Sequence, residues 1–320
     1  MGTMKLTDFV REPLVRERIK PLRPVFPRKM MAPLLVAPRT HSGLVGSAFD
    51  YLLRFEIHRR SEKASGVRWV ADHAPDVLRA AHRGEYRLQV RTPDGGPASP
   101  EPPPGGFLRA AKRAERVLAN AREAFEDYLI YDPVPDALPR LAAHALRLAR
   151  LDLIYRAHFV DTEFDRADPG DVEDLLAMLQ VVPFTEFQLN HRVLLNPTFG
   201  TASREVGGAD ADLIAGDLLI NLKTTKKDTI EAPYLDQLLG YYFLARRARR
   251  ADKRFPLVRR VGLYFARRAF MWTMDTADWT SNPIFRNTET WFFEYASQLR
   301  QIEKRKAPAI PGGGGMGDMY

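Results

Sequence analysis

The chain of 320 residues contains no cysteine. Disulfides, thiolate zinc sites and iron–sulfur clusters are thereby excluded, and a cytoplasmic location is expected. No apolar run approaches the length of about 18 residues that a membrane span requires, so no membrane partner is expected. The first twenty residues, MGTMKLTDFVREPLVRERIK, carry charges but no apolar stretch, and do not read as a secretory signal. The histidines are scattered, with His58, His73 and His82 far from His191, and form no zinc-binding spacing. A glycine-rich loop ending in Gly-Lys-Ser or Gly-Lys-Thr is missing, so no nucleotide cofactor is expected. A Gly-x-Ser-x-Gly elbow is missing too, which removes the usual signature of serine hydrolases.

What the chain does have is positive charge. The formal net charge is +8 at a composition of 45% hydrophobic and 28% charged residues, and the pI is about 9.7. Such a balance favours contact with a polyanion, nucleic acid being the commonest. An arginine-rich background composition would give the same figure, so charge alone assigns no function.

Residues 1–42 are rich in Pro and Arg without a clear period, and are expected to form an extended N-terminal arm. Residues 43–91 open the core, with a helix over 43–60 marked by Val45, Phe49, Leu52, Leu53 and Ile57. The segment 92–106, TPDGGPASPEPPPGG, reads as a linker. A helical subdomain is expected over 107–180, with helices at 107–130 and 137–157 and a third opened by Asp168-Pro169-Gly170-Asp171 and ending near Gln180. The core continues over 181–306. Strands are expected at 184–197, 207–214, 217–225 and 261–274, and helices at 231–250 and 288–304. The glycine-rich end, 307–320, reads as a flexible tail.

Two of these strands carry the chemistry. Side chains two apart in a strand share a face. Asp210 and Asp212 therefore fall on one face of the first strand. On the next, Leu219, Asn221 and Lys223 share a face while Leu218, Ile220 and Leu222 take the other. Hydrolysis of a phosphodiester calls for oxygen ligands around a hard cation. The cation activates water and offsets charge in the transition state, and a lysine can orient that water and add positive charge. Carboxylates and a lysine on adjoining strands meet these needs.

In this layout the chain resembles the PD-(D/E)XK nucleases, which place an aspartate on one strand and acid-x-lysine on the next. The matching residues are Gly207-Gly208-Ala209-Asp210-Ala211-Asp212 and Ile220-Asn221-Leu222-Lys223-Thr224-Thr225. Gln237-Leu238-Leu239-Gly240-Tyr241 is similar to the Gln-x-x-x-Tyr helix of the RecB-like branch, and Gly46-Ser47-Ala48-Phe49-Asp50 to its earlier Gly-x-x-x-His/acid helix. The resemblance covers 43–60 and 184–275. It implies an α/β fold, a small mixed β-sheet flanked by helices in a restriction-endonuclease-like core, with an inserted helical subdomain. It also implies a Mg2+- or Mn2+-dependent nuclease acting on DNA in preference to RNA. Asp50, Asp210, Asp212 and Asn221 would be metal ligands, and Lys223, Gln237 and Tyr241 catalytic. Lys226, Lys227, Arg246, Arg247, Arg249, Arg250, Lys253 and Arg254 are expected to contact nucleic acid.

The departure is Asn221, which stands where the family has an acid. Three explanations remain open: a degenerate site that binds without cutting, compensation by Asp210 and Asp212, or an acid-to-amide change that traps substrate. The first implies a different protein, a non-catalytic nucleic-acid-binding subunit with protein partners in a defence or repair complex.

Overall fold

The structure is a computed structural model that describes residues 5–30, 32–39, 41–66, 69–91, 98–130 and 136–306. The expected flexible tail over 307–320 and residues 92–97 of the expected linker lie outside these.

In chain order the helices are α1 (Leu6–Phe9), α2 (Pro13–Ile19), α3 (Ser42–Arg60), α4 (Ala74–His82), α5 (Gly106–Ile130), α6 (Ala137–Ala157), α7 (Pro169–Gln180), α8 (Thr201–Glu205), α9 (Ala232–Ala251), α10 (Ala277–Thr280) and α11 (Phe285–Lys306). The strands are β1 (Ala64–Ser65), β2 (Gln89–Arg91), β3 (Phe159–Asp161), β4 (Val193–Leu195), β5 (Leu213–Ala215), β6 (Leu218–Lys223), β7 (Arg260–Phe265) and β8 (Phe270–Asp275). The fold is therefore α/β. Its main sheet runs in the order β1-β4-β5-β6-β7-β8. It is mixed, because β6 pairs antiparallel with β5 and parallel with β7. Strands β2 and β3 form a separate parallel pair.

Strict alternation along the inner strands divides the core in two. Leu213, Ala215, Leu218, Ile220 and Tyr264 face a cluster built from α3, α4, α5, α6 and α7. Ile214, Leu219, Val261, Leu263 and Phe265 face a second cluster with α9, α11 and the N-terminal helices. A two-residue period can serve two helical layers only if both faces are largely apolar. Polar residues in β6 are accordingly confined to its C-terminal end. The helices over 107–180 share one apolar cluster with α3 and the sheet.

Local chemistry explains several boundaries. Asp168 caps α7 by accepting from the backbone N–H groups of Gly170 (2.8 Å) and Asp171 (3.2 Å), with Pro169 in the first turn. Pro233 occupies the first turn of α9. The expected strand at 261–274 is instead a hairpin, β7 and β8, because Ala269 turns the chain at φ 47°. The expected strand at 184–197 is cut to Val193–Leu195, since 184–187 forms a 3-10 turn and Gln188 is left-handed. The expected strand at 207–214 is likewise reduced to Leu213–Ala215, with Asp210 held in an isolated bridge to Thr198.

The expected extended arm is corrected most sharply. Leu6, Phe9 and Val10, then Val15, Ile19 and Leu22, are buried. Their three- and four-residue spacing is that of short amphipathic helices, which the surrounding arginines and prolines obscure in the sequence. Phe9 meets Phe292 edge-on at 4.9 Å. Arg23 forks onto Asp236 of α9 at 2.7 and 2.8 Å. Phe9→Ala should therefore destabilise the chain by about 3–5 kcal/mol, the cost of a large cavity. Urea unfolding checks this, and a change below about 1 kcal/mol would mean the segment is a loose arm after all.

Candidate active site at the end of strand β6

The C-terminal end of β6 lies where α3 approaches from one layer and α9 from the other. Gly46 makes the first approach possible. A Cβ there would lie 2.5 Å from Thr224 Oγ1, the residue after β6. One helical turn on from this contact, Asp50 reaches the same region. Arg54 donates to Asp50 Oδ2 at 2.6 Å, while Asp50 Oδ1 is buried with no hydrogen-bond partner.

From the sheet, Asp212 Oδ2 accepts the backbone N–H of Leu222 at 2.6 Å. This bond ties the residue preceding β5 to the end of β6. Burial pushes the Asp212 carboxyl up to about 7, and the nearby charge of Asp50 adds to the effect while Lys223 opposes it. Burial also raises the Asp50 carboxyl. Asp212 therefore senses both Asp50 and Lys223 electrostatically.

Lys223 Nζ donates to Gln237 Oε1 at 3.0 Å and lies 4.9 Å from the centre of the Tyr234 ring. Burial lowers its ammonium to about 8 against the pull of Asp212. Gln237 Nε2 in turn donates to Tyr241 Oη at 3.0 Å. The amide is thus fixed, with its oxygen toward the lysine and its nitrogen toward the tyrosine. Tyr241 is buried and stacked near Phe199, and burial holds its phenol far above the ordinary range. The expected catalytic trio of Lys223, Gln237 and Tyr241 forms one hydrogen-bonded chain from β6 into α9.

Asn221 shares the α9 face of β6 with Lys223 and is buried. Its Nδ2 has no hydrogen-bond partner. A buried amide donor without an acceptor is costly.

Asp210 is brought to the same end of the sheet, but its Oδ2 accepts from Arg156 of α6 at 2.7 Å. Beside it, Asp152 accepts from Tyr51 at 2.7 Å. Burial pushes Asp152 up to about 7, against the opposing charge of Arg156. Arg54 was readable in the sequence, four residues from Asp50. Arg156 and Asp152 were not, because only packing of α6 against α3 brings them to the sheet. Among the described residues, no group of three or more His, Asp or Glu is placed to hold a metal ion. Arg54 and Arg156 each engage one of the acids, and position 221 is an amide.

The basic residues divide. Lys226 and Lys227 are exposed just past β6, Lys227 bonded to Glu231 at 2.6 Å. The cluster at the end of α9 is elsewhere, since Arg250 lies about 20 Å along the helix from Gln237. Its charge is also largely matched. Arg246 and Arg250 both bond Glu289 (3.1 and 2.9 Å), and Arg247 bonds Glu205 (2.8 Å). Arg249 bonds the Phe255 carbonyl (2.8 Å), and Arg254 bonds Asp252 (3.0 Å). Lys253 is exposed. Of the eight expected contacts, Lys226 and Lys227 are the ones placed beside the site. The others sit at the far end of α9, where basic charge also suits the helix dipole.

Comparisons with family models, with curated proteins and with solved structures found no match to the chain.

The perturbed Asp152 has a pH signature. Its folded-state pKa of about 7 lies above the ordinary 3.8, so the folded chain holds a proton that the unfolded chain releases between those values. Stability from this group is full below pH 3.8 and declines as pH rises toward 7. Asp152→Asn keeps an acceptor for Tyr51 and removes the charge. It should stabilise the chain at pH 8 relative to pH 4 by up to roughly 4 kcal/mol. Denaturant unfolding at both pH values checks it, and an equal effect at the two would contradict the assignment.

Proposed function

We propose that the end of β6 is the site of a divalent-metal-dependent nuclease acting on DNA, in a restriction-endonuclease-like core, with one charge removed by the amide at position 221. The observation that carries this reading is a convergence. Asp50 from α3, Asp212 beside β5, Asn221 and Lys223 of β6, and Gln237 of α9 meet at one strand end.

The donor set suits the cation in kind. All candidate ligands are oxygens, as a hard dication such as Mg2+ or Mn2+ prefers. The unpartnered Asp50 Oδ1 is an uncommitted acceptor. Asp212 and the Asn221 carbonyl would complete the set, with Asp210 able to join only by leaving Arg156. The set is short of charge, so weak binding is expected. A divalent cation, when bound, offsets phosphate charge and lowers the pKa of water.

The chain's own residues supply the rest. Lys223, shifted toward neutral pH, can orient a water and hold positive charge near the scissile phosphate. Gln237 holds that ammonium in place through its amide oxygen, and Tyr241 locks the amide. Lys226 and Lys227 lie past the strand end, where the backbone of the nucleic acid would continue. A second reading, a non-catalytic nucleic-acid-binding subunit, draws on Asn221 itself.

Asn221→Asp separates the two. With Mn2+, the nuclease reading predicts DNA cleavage at least on the order of a hundredfold above the parent. It also predicts a rise in Tm with Mn2+ that the parent lacks. Adding Lys223→Ala should return cleavage to the parental level while leaving the Tm response. A variant that neither cleaves nor responds to Mn2+ would support the binding reading and sink the nuclease one.

A further inference from the structure

Helices α5 and α6 flank a cleft of about 660 Å³ on the helical layer, separate from the end of β6. Arg113, Arg116 and Asn120 of α5 recur at helical spacing along one wall, and Arg140, His144 and Arg147 of α6 along the other. Each stripe is about 10 Å long. The cleft's acids are Glu123 and Asp165, so its four arginines outnumber them.

The hydrogen bonding leaves one of these charges poorly matched. The Asp165 carboxylate is taken by Arg113, with contacts of 3.0 Å from Nε and 2.6 Å from the terminal nitrogen. Among the described residues, Arg147 donates only to the Asp165 backbone carbonyl (2.9 Å) and makes a long contact to His144 Nδ1 (3.4 Å). Among the described residues no carboxylate lies within ion-pair distance of Arg147, although it is half-buried. His144 adds no charge, because burial and the adjacent arginines hold its imidazole down to about 4. Arg116 and Arg140 are exposed at the rim. Among the described residues, Arg140 pairs with Asp127 alone, a surface contact of 3.2 Å that a ligand can displace at little cost.

We propose that this cleft is a phosphate-binding site, in which Arg147 supplies the inner contact and Arg116 and Arg140 close on the anion from the two helices. Guanidinium groups on facing walls suit the several oxygens of a phosphoryl group. The phosphate can belong to a nucleic-acid backbone or to a small free anion. The inference stands apart from the β6 site: it needs neither metal nor Lys223.

The test uses the full chain and Arg116→Glu/Arg140→Glu, two exposed positions whose reversal leaves the core intact. An unchanged Tm confirms that. One arm measures affinity for single-stranded and duplex oligodeoxynucleotides across a range of salt, and the other titrates inorganic pyrophosphate by calorimetry. If the source is a nucleic-acid backbone, the variant should bind oligonucleotide at least tenfold more weakly. Its log–log salt slope should then be shallower by about 1.4 for two contacts to a single strand. If the source is a free anion, pyrophosphate binding by the parent should be lost in the variant with oligonucleotide affinity unchanged. The proposal is overturned if the variant matches the parent within twofold in both arms, or if the parent binds neither probe. Cleavage by Asn221→Asp, scored separately, shows whether the nuclease reading survives that outcome.

Discussion

Strand β6 has to satisfy two helical layers at once, and the rest of the structure follows from how it does so. Leu218 and Ile220 fill the layer of α3, α5, α6 and α7, while Leu219 fills that of α9 and the N-terminal helices. Polar side chains are affordable only where the strand ends. There Asn221 and Lys223 project on the α9 side, and the Leu222 N–H captures the Asp212 carboxylate. One backbone hydrogen bond thus sets the distance between the acid beside β5 and the lysine of β6. A neighbouring constraint holds the same end from outside. Arg267, fully buried at the β7–β8 turn, forks onto Asp174 of α7 at 2.7 and 2.8 Å and donates to the Thr224 carbonyl at 2.9 Å. Breaking such a pair would strand a buried charge, so the turn, α7 and the end of β6 are held together.

The electrostatics of the strand end are those of acids crowded without enough positive charge. Asp50, Asp152 and Asp212 all have carboxyls raised by burial. Arg54 and Arg156 relieve part of the strain by bonding Asp50 and Asp210. On the proposed reading, these are acids that a dication would have to draw away from the two arginines. An acid at position 221 would increase the repulsion and so strengthen the demand for a cation. An amide there leaves an orphaned donor and a smaller demand. If the strand end takes a cation as proposed, stability and metal affinity would be opposed at this residue.

Parts of this arrangement could be read from the chain alone because they lie within single elements. The alternation of β6, the Gly46 to Asp50 turn of α3 and the Gln237 to Tyr241 turn of α9 are all local patterns, and each sits where its period places it. What could not be read depends on packing between elements. Arg156 and Asp152 reach the sheet only because α6 lies against α3. The burial of Leu6, Phe9 and Val10 depends on a groove that α9 and α11 make together, with Gly240 allowing the close approach of Leu6 and Val10. The arginines at the end of α9 are dense in the sequence, but their pairing is not legible there: Glu289 and Glu205, distant in sequence, bond Arg246, Arg247 and Arg250.

If the end of β6 is a divalent-cation site missing one charge, as proposed, an acid at position 221 should complete it. The most direct measurement is an anomalous difference map at the manganese edge, from crystals of Asn221→Asp soaked in Mn2+. The expected result is one strong peak bounded by Asp50, Asp212 and the side chain at position 221, within about 2.0–2.6 Å of their oxygens. A featureless map at this strand end, or manganese bound only elsewhere, would contradict it.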